Sequence, residues 1–328
     1  MLCCFMRKSF QTQPALFVPA ELLDHPAMRA LDGLEGLVDW GAVEALLPRG
    51  ERKAATGRPG YPALMLFRAL LLGHLYHLSD LALASQLMRD LLFRRFCRIE
   101  LDQSVPDAVT LGRFRAALDG RMDALLTLVN RALAEKNLIL TEGQIAIVDA
   151  SVVEASQSRL KTKDPEAGSA VKHDNKGRMR AVWGWKGFVN VDEDNFVLAT
   201  DFAPGNAAEV KHLERLMLGT EERLYADAAY IGPTTRALCA AGRGGRGTED
   251  HVQRRNSHSR KLTPEAVARN EGIGVIRAGV ERYFAHCKRV WGMGRTRLRG
   301  LARNRIWWTL AAVTWNLTQA DRLQKRCG

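Results

Sequence analysis

Three residues in the stretch "RAGVERYFAHCK", namely Arg277, Glu281 and Lys288, have a spacing that chemistry could use. On a helix each residue turns by about 100°. With Ile276 at zero, Val280, Phe284, Cys287 and Trp291 form an apolar stripe between about 20° and 80°. Arg277, Glu281 and Lys288 fall between about 100° and 140°, so a polar stripe borders the buried one. Glu281 is therefore expected at the edge of the core, facing a neighbouring element. An ordinary i,i+4 ion pair from Arg277 to Glu281, worth roughly a few tenths of a kcal/mol, is the plainer account of the same spacing. Two aspartates extend the set. Asp149 is expected at the end of the β-branched run "QIAIVDASVVEA", and Asp227 at the end of "ERLYAD". Ligands gather at strand ends in open α/β sheets, although a lone Asp there also serves as a turn former or cap. Three carboxylates brought together repel one another and need cations. An oxygen-only donor set favours Mg²⁺ or Mn²⁺. Two such ions about 3.5–4 Å apart stabilise the attacking and leaving oxygens of a phosphodiester displacement. Arg277 and Lys288 would then contact nearby phosphates.

The rest of the chain fits a polyanionic partner. Its 328 residues carry a net charge of +12, which points to nucleic acid. The charge is concentrated. From residue 282 onward, 11 Lys/Arg face one acid, Asp321, so 11 − 1 = +10 resides there. The same region holds "IWWTLAAVTWNL", which must be buried, so an ordered basic surface backed by a core helix is expected. No apolar run reaches the roughly 18 residues of a membrane span, and "MLCCFMRKSFQT" lacks the core of a secretory signal. The six cysteines show no C-x-x-C spacing and read as free thiols of a cytoplasmic protein, not as disulfides or a zinc site.

Positioning these residues requires two kinds of architecture. Residues 1–140 read as an all-helical domain. Residues 61–96 are apolar at helical spacing, and 105–118 start a further helix with Asp107 or Thr110 as N-cap. This suits a helix-turn-helix DNA reader or, equally, a plain bundle. From 141 to 328 the pattern becomes mixed α/β. Strand 144–155 is followed by a polar loop at 156–179. Two strands within 180–202 are joined by a tight turn at 192–195. A helix at 206–219, a strand at 222–230, an exposed basic loop at 242–262 and closing helices follow. A meander of three strands with one parallel strand added after the helix is expected.

The motifs together resemble the DDE transposases of bacterial insertion sequences, whose catalytic domain is ribonuclease H-like. "GRPGYPALMLFRALLLGHLYHLSD" with "PDAVTLGRFR" resembles the family's N-terminal helical domain, and "IVDASVVEA" carries its first Asp. "GWKGFVNVDEDNFVLATDFAPGNAAEV" resembles the middle strands and the segment usually read as "TPAN". "YADAAYIG" resembles the second-Asp motif, and "RAGVERYFAHCK" fits Arg-x3-Glu-x6-Lys. "RTRLRGLARNRIWWTLAAVTWNLTQ" resembles the closing basic helix. The resemblance departs at Gly274, where some relatives have Tyr, at Ala226 and Ala229, where Gly is common, and after Lys186, where Gly187 and Phe188 replace a frequent His. It implies Asp149, Asp227 and Glu281 as catalytic metal ligands for two Mg²⁺ or Mn²⁺ ions. It implies Arg277, Lys288, Lys186, Arg295, Arg297 and Arg299 as DNA contacts. The partners implied are the terminal inverted repeats and target DNA, bound by a homodimer in the cytoplasm at the nucleoid. A catalytically inactive or domesticated copy that only binds DNA is the alternative.

Other residues carry lesser expectations. Glu154 reads as a solvated acid, with a supporting role at the site as the alternative. His173, His251, His258 and His286 read as surface groups. The tryptophans read as core, with Trp183 and Trp185 alternating on one strand where they could face the site. Asn206 is expected to cap the helix that follows it.

Overall fold

The structure, a computed structural model, describes residues 24–48, 60–139, 145–156, 162–173, 178–256 and 261–327. The N-terminal helices are α1 (Asp32–Glu35), α2 (Trp40–Leu46), α3 (Ala63–Leu75), α4 (Asp80–Arg89), α5 (Leu91–Cys97), α6 (Ala108–Ala117) and α7 (Met122–Glu135). The apolar run 61–96 is thus three helices. Ser79 caps α4 by accepting from Ala82 N–H, and Asp90 caps α5 by accepting from Leu92 and Phe93 N–H. Two good N-caps interrupt a stretch that contains no helix breaker at either break. Asp107 is the cap of α6, accepting from Thr110 N–H at 2.6 Å.

The remainder forms a mixed sheet. Its strands are β1 (Ile145–Ala155), β2 (Gly168–His173), β3 (Met179–Val191), β4 (Val197–Pro204), β5 (Arg223–Ala226), β6 (Glu249–Val252) and β7 (Arg295–Thr296). The order is β2-β3-β1-β5-β6, with β4 also on β3 and β7 also on β1. β1 runs antiparallel to β3 and parallel to β5, and β5 runs parallel to β6. Several expectations are corrected here. The polar loop at 156–179 contains β2, and the basic loop at 242–262 contains β6. Both are edge strands recruited by a partner. The helix at 206–219 shrinks to a 3₁₀ turn, Glu209–His212, and one α-turn, α8 (Leu213–Leu216). Asn206 caps neither: it is exposed with its amide over Gly168, and the cap position belongs to Ala208. Asp149 lies inside β1, because residues 150–154 go on to pair with β3. The turn between β3 and β4 is as expected, with Asp192 accepting from Asp194 and Phe196 N–H and Asn195 at φ 65°.

Three helices complete the chain: α9 (Pro233–Ala241), α10 (Pro264–Arg289) and α11 (Leu301–Cys327). α11 is the buried beam foreseen in "IWWTLAAVTWNL". It packs on β4 and on α7, α3 and α6, so one hydrophobic core runs from the N-terminal helices to the sheet. Trp308 donates to Phe188 O at 3.1 Å, and Trp315 to Asn195 O. A Cβ on Gly187 would lie 2.4 Å from the Trp308 ring, so this glycine is what lets the helix approach β3. Ala146 and Val148 face a second, smaller core on the other side of the sheet, with Phe188, Leu224 and Tyr230. Among the described residues no helix is long and apolar enough to cross a membrane. Cys97, Cys239 and Cys287 are free and buried; Cys3 and Cys4 lie outside the described residues.

Candidate active site

Parallel pairing of β1 with β5 brings the two aspartates side by side. Ile147 is in register with Tyr225, and Asp149 and Asp227 each follow that pair by two residues. Neighbouring strands are about 4.8 Å apart, so these positions are neighbours in space. Asp149 projects on the Ile147 side of the sheet, because side chains two apart share a face. There α10 covers it: a Cβ on Gly279 would sit 3.7 Å from Ile147 Cδ1. Asp227 ends β5 and caps the 3₁₀ turn Ala228–Tyr230, accepting from Ala229 N–H at 2.8 Å.

Arg277 reaches down from α10 to Asp149, Nη2 to Oδ2 at 3.1 Å, with both side chains largely buried. Its other terminal nitrogen donates to Gln253 Oε1 at 2.9 Å. Gln253 is itself held by donation to Asn270 O and by its backbone N–H on Ala226 O. Asp149 also accepts from Ala150 N–H at 2.8 Å. Burial nevertheless raises its carboxyl to about 6, with the charges of Asp227 and Glu209 adding to the rise and Arg277 opposing it. Such a carboxylate is under-compensated.

Glu281 is exposed and follows Arg277 by one helical turn. Lys288 completes the stripe. Crowding around its ammonium, then Lys172, lower its pKa, while Asp149 pulls it back up. Arg277 and Lys288, on either side of Glu281 along α10, therefore both sense Asp149. The structure brings Asp149 and Asp227 together, whereas Glu281, one turn beyond Arg277 on α10, is exposed and is not gathered with them. Among the described residues no three His, Cys, Asp or Glu side chains are gathered closely enough to hold a metal ion. The donor set is nonetheless the right kind. It is carboxylate oxygen throughout, and one carboxylate is short of positive charge, which suits a hard divalent cation.

The expected DNA contacts are divided. Arg297 is exposed at the rim of two clefts. One, of 720 Å³, lies between α3–α4 and the β7–α11 segment; the other, of 590 Å³, lies beside the end of β1 and the start of β3. Arg299 binds Thr162 and Lys163 O. Lys186 binds Glu209 at 3.0 Å and Ala207 O at 3.2 Å. Arg295 binds Glu154 at 3.0 Å.

Glu154 is not a solvated acid. It is 12% exposed and meets Lys172 at 3.1 Å, Arg180 at 2.5 Å and Arg295 at 3.0 Å. Burial raises its carboxyl, but hydrogen bonds from Arg295 and Lys172 outweigh this and hold it below its usual range. His286 is not a surface group either. It packs on Trp291 and Trp315, with ring centroids 4.6 and 5.0 Å away. His251 stacks on Tyr225 at 4.8 Å; the side chain of His173 and all of His258 lie outside the described residues. Trp185 is fully buried against Phe202, and half-buried Trp183 carries Lys163 over its ring at 4.7 Å. Gln253, which holds Arg277, was not among the expected site residues; only the packing of α10 beside the end of β6 reveals it.

Comparison with known families agrees with this geometry. Residues 140–317, more than half of the chain, match the family model described as Transposase DDE domain. Residues 21–117 match the one described as Transposase domain (DUF772). No solved structure matches the chain. The mixed sheet flanked by helices, with an N-terminal helical region before it, is the ribonuclease H-like arrangement of such enzymes. With two aspartates side by side on its parallel strands, the chain belongs to the DDE transposases of insertion sequences.

Proposed function

We propose that this transposase cleaves DNA at the ends of its insertion sequence and joins the freed 3′-OH to target DNA, with Asp149, Asp227 and Glu281 as the ligands of Mg²⁺ or Mn²⁺, two ions in number. The observation that supports this reading is the parallel register that puts Asp149 beside Asp227, with Arg277 of α10 paired to Asp149. The cations, when bound, supply Lewis-acid stabilisation of the attacking and leaving oxygens. The chain's own groups do the rest. Arg277 now pairs with Asp149, and a divalent ion would free its guanidinium for a phosphate near the scissile bond. Lys288 stands about three turns further along the same helix for another phosphate. Arg295, Arg297 and Arg299 track the backbone outside the site, and Lys186 is a further backbone contact. The helices before residue 140 bind the terminal inverted repeats. Two copies pair the two ends, and the protein works at the nucleoid.

The test is strand cleavage on duplexes carrying the element's ends. Asp149→Ala, Asp227→Ala and Glu281→Ala should each abolish cleavage in Mg²⁺ while end binding is kept. Undiminished cleavage by any one of them removes that residue from the site.

A further inference from the structure

A third carboxylate and a buried hydroxyl adjoin the two aspartates. Glu209 starts the 3₁₀ turn after β4, and that turn packs against the Ala228–Tyr230 turn capped by Asp227. A Cβ on Gly232 would lie 3.5 Å from Val210, which places the two turns in van der Waals contact. The Glu209 carboxylate is 17% exposed and held by Lys186 at 3.0 Å. Tyr230 is fully buried, and its hydroxyl has no hydrogen-bond partner among the described residues. The charges around that hydroxyl are Glu209, Asp149, Asp227 and Arg277. An unmet buried hydroxyl is costly, and this one lies among charged groups of the site. Lys186 is paired with Glu209 as Arg277 is paired with Asp149.

We propose that Glu209 is a fourth carboxylate of the active site and that Tyr230 is a positioning residue, its hydroxyl donating to one of these carboxylates when a divalent cation is held. The inference rests on the proposed function above. Lys186 keeps Glu209 in place until then.

The full-length protein is titrated with Mn²⁺ alone, the free ion being followed by electron paramagnetic resonance. Strand cleavage of end duplexes is measured across Mg²⁺ concentrations. Wild type, Asp149→Asn, Glu209→Gln and Tyr230→Phe are compared. Glu209→Gln should bind Mn²⁺ on the order of tenfold more weakly. Tyr230→Phe keeps the ring and the packing. It should retain the wild-type melting temperature and end affinity, yet need on the order of tenfold more Mg²⁺ for half-maximal cleavage. A purely structural tyrosine would not move that requirement. Wild-type Mn²⁺ binding by Glu209→Gln removes Glu209 from the site, and a wild-type Mg²⁺ requirement in Tyr230→Phe removes the hydroxyl. Asp149→Asn separates the two levels. Cleavage retained there overturns the proposed function, whereas its loss beside two wild-type-like variants overturns this inference alone.

Discussion

Asp149 and Glu154 sit on the same strand, on opposite faces of the sheet, and their environments differ in kind. Glu154 is met by three basic side chains from β2, β3 and β7 and is stabilised as an anion. Asp149 has one arginine, two acidic neighbours and a carboxyl raised to about 6. The first acid ties four strands together and asks for nothing more. The second is left short of positive charge where the α10 stripe faces it. Internal satisfaction marks a structural acid, and a shortfall marks one waiting for a ligand.

The largest expected effect lies in activity. Asp149→Ala should lower strand cleavage by about 10³-fold or more, since removing a group central to charge stabilisation costs on this order, whereas end binding measured by fluorescence anisotropy should change little. Arg277→Ala comes next. It removes the one ion pair that Asp149 has among the described residues, so the Asp149 carboxyl should rise further, and cleavage should fall on the order of 10²-fold with its pH profile displaced to higher pH.

Stability should then move in opposite directions at the two acids. Asp149 has a folded-state pKa of about 6 against 3.8. The folded state therefore holds its proton more tightly, and stability falls as pH rises between those values. Asp149→Asn removes the penalty. It should stabilise the protein at pH 7 by up to about 2 kcal/mol, allowing for the guanidinium of Arg277 that loses its anion. Glu154 is depressed, so it contributes stability above its unfolded pKa that is lost as pH falls through the folded one. Glu154→Gln should cost about 1 kcal/mol at pH 7, because Arg180 and Arg295 are well exposed and screened. Urea unfolding at pH 7 and pH 5 checks both. Equal signs for the two variants would erase the contrast.

The sequence was most legible where structure is local. The α10 stripe follows from 3.6 residues per turn, and Arg277 and Lys288 do sense Asp149. The buried helix in 306–317 and the turn at 192–195 were likewise written in short-range pattern. What could not be read depends on distant partners. β2 and β6 are edge strands with little periodicity of their own, and they form only because β3 and β5 offer unpaired edges. Asp149 was expected at a strand end because nothing local shows that 150–154 will find β3. Glu154 gathers cations from residues 172, 180 and 295, and His286 finds Trp315 on another helix. Glu209 and Tyr230 reach the site only after the sheet is closed.

The placement of α11 has a consequence for how the protein comes into being. A ribosome delivers the chain from its N-terminus, so residues 301–327, which seat Trp308 on Gly187 and join the early helices to the sheet, emerge after both of the parts they join. Until then the nascent chain exposes a wide oily face, and a message broken or a frame lost before residue 301 yields a product whose core is left open. A mobile element whose protein closes its core only once this helix has been read has, in its architecture, a safeguard against active fragments.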